Sequence, residues 1–306
     1  MIQLFNINNH IIDTSKYSHL LHDKCVTRLE DTLKEYVGAK YACSISSATN
    51  AIFLSFLGKG VTVDVPSIIP PVVLNAVKTS GNNINFIDNV EWVGDSYVLH
   101  DFGDYKIVDS AQKLEKEQFK KECNPQDIMF FSFYPTKPLG GPDGGLIVSD
   151  DKEKIEWYKQ AVLNGMSYSK NNWERTINFA GYKMYLSSVQ ADIITKNFTF
   201  FEKKMTRLGE IVDFYNAELG YNNDSSHLYR ISVSDNERFI SLMQDKGITC
   251  GKHYEAMHKN PIYAGLSVFN CPKSEEVEKT TVSLPMNETL SDEQMEHIVE
   301  SAKELM

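Results

Sequence analysis

The chain has 306 residues, 42% apolar and 24% charged, which is enough apolar material for one sizeable core plus a smaller one and is the balance of an ordinary globular protein. A net charge of −10 argues against general nucleic-acid or anionic-membrane binding, because phosphate contacts need clustered Lys and Arg. Cys25, Cys43, Cys123, Cys250 and Cys271 form no C-x-x-C pair, so neither a disulfide framework nor a structural zinc site is expected and a reducing cytoplasm fits.

The N-terminal segment carries Asn6, Asn8, Asn9, His10 and Asp13 at short intervals and lacks the apolar run of a signal peptide. No stretch approaches the roughly 20 apolar residues of a membrane span. Val26, Leu29, Leu33 and Tyr36 at helical spacing predict a helix over 24–37, with Gly38 as its stop. Tyr41–Ile45 reads as a strand, Ser46-Ser47-Ala48-Thr49 as a polar turn, and Ala51, Ile52, Leu54 and Leu57 as a helix. The same order recurs: a strand at 61–65, a helix at 71–79 and a strand at 84–88.

Residues 105–109 form a further strand ending on Asp109, residues 127–133 are apolar and aromatic, and residues 146–149 are another strand. Strands alternating with helices predict an α/β fold with a largely parallel sheet. One stretch departs from this. Tyr97–His100 also reads as a strand, and the four residues between His100 and Tyr105 cannot hold a parallel crossover, which needs about a dozen. A hairpin or an irregular excursion is expected there. Residues 183–217 predict one long helical stretch. A strand at 228–233, a helix at 236–246, a strand-like Thr249–Gly251 and a final helix at 291–306, opened by Ser291, complete a second α/β unit. The expected domains are 1–209, large, and 210–306, small.

Three elements can carry chemistry. Lys137 lies among prolines and glycines just after an aromatic strand. Partial desolvation there would lower its pKa and make the amine a nucleophile, as Schiff-base chemistry requires; the plain alternative is a surface turn with an idle lysine. Asp109 ends a strand, where α/β sheets bind ligands, or is simply a helix cap. Ser46–Thr49 stands between a strand and a helix, where open N–H groups suit a phosphate, or is ordinary N-capping. His253 and His258 are five residues apart and share no helical face, so no metal is expected.

Taken together, these segments resemble the DegT/DnrJ/EryC1/StrS family of sugar aminotransferases over most of the chain. Ser47-Ala48-Thr49 stands for the family's S-G-T, Asp109-Ser110-Ala111-Gln112 for D-A-A-Q, and Phe131–Gly140 for F-S-F-Y-P-T-K-N-L-G. Gly181–Ala191, Gly251–Tyr254, Tyr263–Leu266 and Ser283–Met286 are similar to later family segments. The resemblance implies an aspartate-aminotransferase-like fold (fold type I) and pyridoxal 5'-phosphate (PLP) as cofactor. It also implies that Lys137 forms the Schiff base and moves the proton, Asp109 pairs with the pyridine nitrogen, and Gln112 approaches the ring hydroxyl. Ala48, Thr49 and Ser132 would hold the phosphate.

The implied reaction moves an amino group, usually from glutamate, onto a nucleotide-linked keto sugar in a homodimer with shared active sites. His253 is the expected substrate contact. Departures are Lys183 in place of an asparagine that reaches the partner's cofactor phosphate, Tyr185 in place of an arginine, and Ile68-Ile69-Pro70 where a ring-stacking aromatic is usual. About one helix is also missing before Asp109. The retained lysine argues against the dehydratase branch, which has histidine there. A non-catalytic binding or regulatory descendant, and a PLP enzyme for a smaller amino-acid substrate, stay open as alternatives.

Overall fold

In the computed structural model, which describes residues 1–7, 12–168 and 174–306, the strand–turn–helix order of the first third is present; Asn8, Asn9 and His10 lie outside the described residues. Helix α1 (Lys24–Val37) starts at Asp23, whose side chain accepts from the Lys24 N–H, and stops at Gly38 with φ 80°, a backbone that costs glycine nothing. It buries Leu29, Leu33 and Val37. Strand β1 (Tyr41–Ile45), α2 (Ala48–Phe56), β2 (Thr62–Pro66), α3 (Pro71–Thr79) and β3 (Asn83–Ile87) follow. Then come β4 (Tyr97–Asp101), β5 (Lys106–Asp109), α4 (Gln118–Glu122), β6 (Ile128–Ser132), β7 (Gly145–Ser149) and α5 (Lys152–Val162).

The central sheet has the order β1-β7-β6-β5-β4. It is mixed: β5–β6 is parallel, whereas β1–β7, β6–β7 and β4–β5 are antiparallel. The expected α/β class is observed. The hairpin expected before Asp109 is also present, as β4–β5, because four residues cannot carry a crossover. Strict alternation buries both faces. In β6, Ile128 and Phe130 join the core that contains α2 and α3, while Met129 and Phe131 join the one beneath α1.

A short antiparallel pair, β8 (Met166–Tyr168) and β9 (Arg175–Ile177), precedes the helical region. The single helical stretch expected over 183–217 is instead two helices, α6 (Ser188–Phe198) and α7 (Phe201–Leu219). Ser187 opens α6 with a capping box to Gln190, so residues 183–187 stay outside it. The break at Thr199–Phe200 lets Phe198 and Phe201 both meet the Tyr36 ring, at 5.1 and 6.0 Å.

The C-terminal part contains β10 (Tyr229–Ser232), α8 (Asn236–Asp245), β11 (Ser267–Val268), α9 (Pro272–Thr280), β12 (Thr281–Leu284) and α10 (Asp292–Leu305). β10 pairs antiparallel with β12 over a core closed by α7, α8 and α10. Thr249–Gly251 is not a strand: Ile248 and Gly251 make only single bridges, to Ile2 and Ser283. Between α8 and α9 the chain returns to the first core, where Ala256, Met257 and Tyr263 are buried and β11 pairs parallel with β3, which also pairs parallel with β2. Among the described residues no helix is long and apolar enough to cross a membrane.

Candidate active site

Strand β6 delivers Ser132, and the chain then turns so that the Lys137 N–H donates to the Tyr134 carbonyl at 2.9 Å, with Pro135 at the second turn position, where its fixed φ is favourable. The following loop folds tightly back: a Cβ on Gly140 would stand 2.2 Å from the Pro135 carbonyl oxygen. This loop keeps the Lys137 side chain against the protein. Burial lowers its amine to about 8, opposed only in part by the Asp109 carboxylate.

Asp109 closes β5 and is 4% exposed. The β4–β5 register sets Tyr97 opposite it. The Tyr97 hydroxyl donates to Asp109 Oδ2 at 3.1 Å, and the Ala111 N–H donates to Oδ1 at 2.9 Å. Burial pushes the Asp109 carboxyl up from its ordinary value, against the pull of the Ala111 N–H, the Lys137 amine and the Tyr97 hydroxyl.

Gln112, also buried, is fixed at both ends. Its Oε1 accepts from the Gly94 N–H at 2.7 Å and its Nε2 donates to the Tyr254 hydroxyl at 2.9 Å. Gly94 has φ 95° and its carbonyl accepts from Ser225 Oγ at 3.0 Å. Trp92 completes the wall: its ring lies 4.6 Å from that of Tyr97 and parallel to that of Tyr254, at 6.1 Å and 4°. Its Nε1–H donates to the Ile68 carbonyl at 3.1 Å. Residues 92–97 thus bring Trp92, Gly94 and Tyr97 to the Asp109 end of the site.

At the other end, Ser47 caps α2 by accepting from the Asn50 N–H at 3.2 Å. The Asn50 side chain donates to Ser46 Oγ at 2.9 Å. The N–H groups of Ala48 and Thr49 stand at the open end of the helix, where an anion is favoured. Gly145 pairs with Ile45 on one side and Ser132 on the other; this register brings Ser132 to the start of α2. A Cβ on Gly145 would meet Ala48 N at 2.8 Å, so only glycine permits the approach.

His253 lies near Lys137, whose charge, with that of Arg230, adds to burial in lowering the imidazole to about 4. Its Nδ1 is 2.9 Å from Ser283 Oγ. Burial, and then the Lys137 and Lys204 cations, push the His227 imidazole well below its ordinary value, with the Phe5 ring stacked at 5.6 Å. His258 bonds Ser67 instead, and among the described residues no three His, Cys, Asp or Glu side chains gather as a metal site. The structure therefore sets Asp109 and His253 within reach of the Lys137 charge, ties Gln112 to Tyr254, the neighbour of His253, and places Ser132 beside the start of α2 with Ala48 and Thr49. Lys183 is exposed on the segment bridged to Leu163 and does not join this cluster within one chain. Tyr97, Trp92, Tyr254, His227 and Phe5 are site residues that the sequence reading does not single out. Tyr97 follows from pairing the two strands of the expected hairpin; His227 and Phe5 carry no local signal.

The model of the DegT/DnrJ/EryC1/StrS aminotransferase family matches residues 5–91 and 100–303, and the break falls on the hairpin segment that carries Trp92 and Tyr97. The UDP-4-amino-4,6-dideoxy-N-acetyl-beta-L-altrosamine transaminase of Campylobacter jejuni is similar at 25% identity, over 94% of this chain and 92% of its own. GDP-perosamine synthase of Escherichia coli O157:H7 is similar at 22%, over 91% and 89%. Among solved structures, an aminotransferase from Streptoalloteichus hindustanus shares the fold with a TM-score of 0.84 at 19% identity, over 99% of this chain and 98% of its own. A Helicobacter pylori aminotransferase involved in pseudoaminic acid biosynthesis does so with 0.80 at 18%, over 99% of each chain.

Proposed function

Because the chain belongs to the DegT/DnrJ/EryC1/StrS aminotransferase family, we propose that it uses pyridoxal 5'-phosphate to move an amino group from glutamate onto a keto sugar linked to a nucleotide. The observation that carries this reading is Lys137, an amine lowered to about 8 by burial beside the buried carboxylate of Asp109. The named relatives from Campylobacter jejuni and Escherichia coli, one a UDP-sugar transaminase and the other GDP-perosamine synthase, support a nucleotide-linked acceptor.

The donor set suits the cofactor. Each Asp109 oxygen accepts one bond, and a carboxylate has about four acceptor positions, so capacity remains for a protonated ring nitrogen. Gln112 Nε2 keeps a second N–H for the ring hydroxyl. The Ala48 and Thr49 N–H groups and the Ser132 hydroxyl suit the phosphate. When bound, the cofactor supplies an electron sink for charge developing at the reacting carbon.

The chain's own residues do the rest. Lys137 changes protonation close to neutral pH, so its amine can take a proton at the substrate carbon and return it. Asp109 sets its carboxyl group at the far end of the site, where Tyr97 and Ala111 hold its two oxygens in place. Trp92 and Tyr254 exclude water beside it. Neutral His253 offers Nε2 to the substrate. Lys183, exposed, would reach the phosphate site of a second subunit in a homodimer. We retain the division at residues 209 and 210 into a large and a small domain, and a cytoplasmic location.

The test is capture of added PLP by wild-type protein and by Lys137→Ala. Borohydride should fix the cofactor's mass on the peptide that contains Lys137, and L-glutamate should convert the visible absorption to that of the pyridoxamine form. Absence of both the visible band and the labelled peptide in wild type would remove the enzymatic reading and favour a binding scaffold.

A further inference from the structure

Arg230 has no part in the roles above. It lies in β10 between Tyr229 and Ile231, both buried in the C-terminal core, so strand alternation turns Arg230 to the opposite face. Its cross-strand partner is Ser283 of β12, and paired residues share a face. Ser283 Oγ is the group bonded to His253 Nδ1. Arg230 and His253 therefore stand on the same side of this small sheet, and the His253 ring feels the charges of both Arg230 and Lys137.

Arg230 is half-buried, and burial lowers its pKa despite the negative influence of Glu91 and Tyr254. Among the described residues it has no hydrogen-bond or ion-pair partner; Glu91, the carboxylate acting on it, is exposed and forms no ion pair with it. None of its nitrogens is both sealed from solvent and unpartnered among the described residues, so donors without a protein partner stay open to an arriving anion.

We propose that Arg230 binds a carboxylate of the amino donor. The proposal rests on the transfer reaction proposed above. If Lys137 serves both halves of such a reaction, donor and acceptor occupy the same site in turn. The donor is an amino acid, whose carboxylate matches the planar fork of a guanidinium in a two-bond contact. His253, which feels the charges of both Lys137 and Arg230, is itself neutral and adds no competing charge.

The experiment uses glutarate, a dicarboxylate without an amine, titrated calorimetrically into wild type, Arg230→Met and Arg230→Lys, each with and without added PLP. Wild type should bind, Arg230→Met should lose at least about tenfold in affinity, the range of a charge-assisted hydrogen bond, and Arg230→Lys should recover part of it. The KM for L-glutamate in converting the bound cofactor should rise by about the same factor, with the saturated rate little changed. Glutarate should raise the melting temperature of wild type but not of Arg230→Met. Equal glutarate binding by wild type and Arg230→Met overturns the proposal. So does dependence on Arg230 of UDP binding but not of glutarate binding, which would make the arginine a contact for the acceptor's phosphates. Borohydride labelling of Lys137 in the same samples reports separately on the transfer reaction. If wild type takes up no cofactor, that reaction falls, and the glutarate titration still decides the role of Arg230.

Discussion

Replacing Lys137 by methionine in cofactor-free protein should stabilise the fold at neutral pH. The amine's value falls from 10.5 to about 8 on burial, with the attraction of Asp109 already included. At about 1.4 kcal/mol per pH unit, this makes the charged lysine cost about 3 kcal/mol in the native state; the partly exposed side chain makes this a ceiling. The sign follows from proton counts. Below pH 8 both states carry the proton and the full cost is present. Between pH 8 and 10.5 the unfolded chain keeps its proton while the native amine loses it, so wild-type stability rises with pH. Above 10.5 both are neutral and the cost is gone. Urea unfolding of wild type and Lys137→Met across pH 6–11 should show a stability difference of up to about 3 kcal/mol that is level below pH 8 and vanishes by pH 10.5. Loss of stability in the variant at pH 7, or a difference that does not change with pH, would mean that the amine is solvated and not primed by burial.

Tyr97→Phe removes the hydroxyl that donates to Asp109 Oδ2; it should cost about 1–3 kcal/mol in unfolding experiments and weaken PLP retention, measured by equilibrium dialysis. Gly145→Ala sets a methyl 2.8 Å from Ala48 N and 3.0 Å from the Ser47 carbonyl carbon; it should destabilise by about 1–3 kcal/mol and release the cofactor's phosphate end, read by competition with inorganic phosphate. If Lys183 serves the neighbouring subunit, mixed Lys183→Ala and Lys137→Met proteins should regain glutamate-driven cofactor conversion that neither has alone, because a hybrid dimer holds one site with both lysines. No recovery after subunit exchange, verified by native mass spectrometry, would confine Lys183 to its own chain.

What was legible from the sequence was local. Lys137 declares itself through its turn of prolines and glycines, Asp109 through its place at the end of a strand, and the hairpin through a connection too short for a crossover. Helix α5 is absent from the sequence reading, although Asp151 caps it and Ile155, Tyr158 and Val162 lie on its buried face. The rest depends on meetings across the chain. Nothing near Phe5 shows that it will stack on His227, and nothing near Arg230 that a strand register will set it on the face of His253. Apolar residues also recur through the break between α6 and α7, although Ala191 and Ile194 join the core beneath α1 and Leu208, Ile211 and Tyr215 join the C-terminal one. Only the packing of Phe198 and Phe201 on Tyr36 requires the chain to bend there.

The β4–β5 hairpin changes the order in which the site can assemble. Pairings such as Tyr41 with Ser149 and Asn85 with Ser267 join distant parts of the chain and must wait for long loops to close. Tyr97 and Asp109 belong to one short ribbon, which can form on the timescale of an isolated hairpin. The acid at the Asp109 end is thus given its hydroxyl partner within a single local unit. The lysine loop and the phosphate turn are then brought to an acid whose hydroxyl partner already stands beside it, and Tyr254 and Ser225 complete the wall when the C-terminal part closes on it.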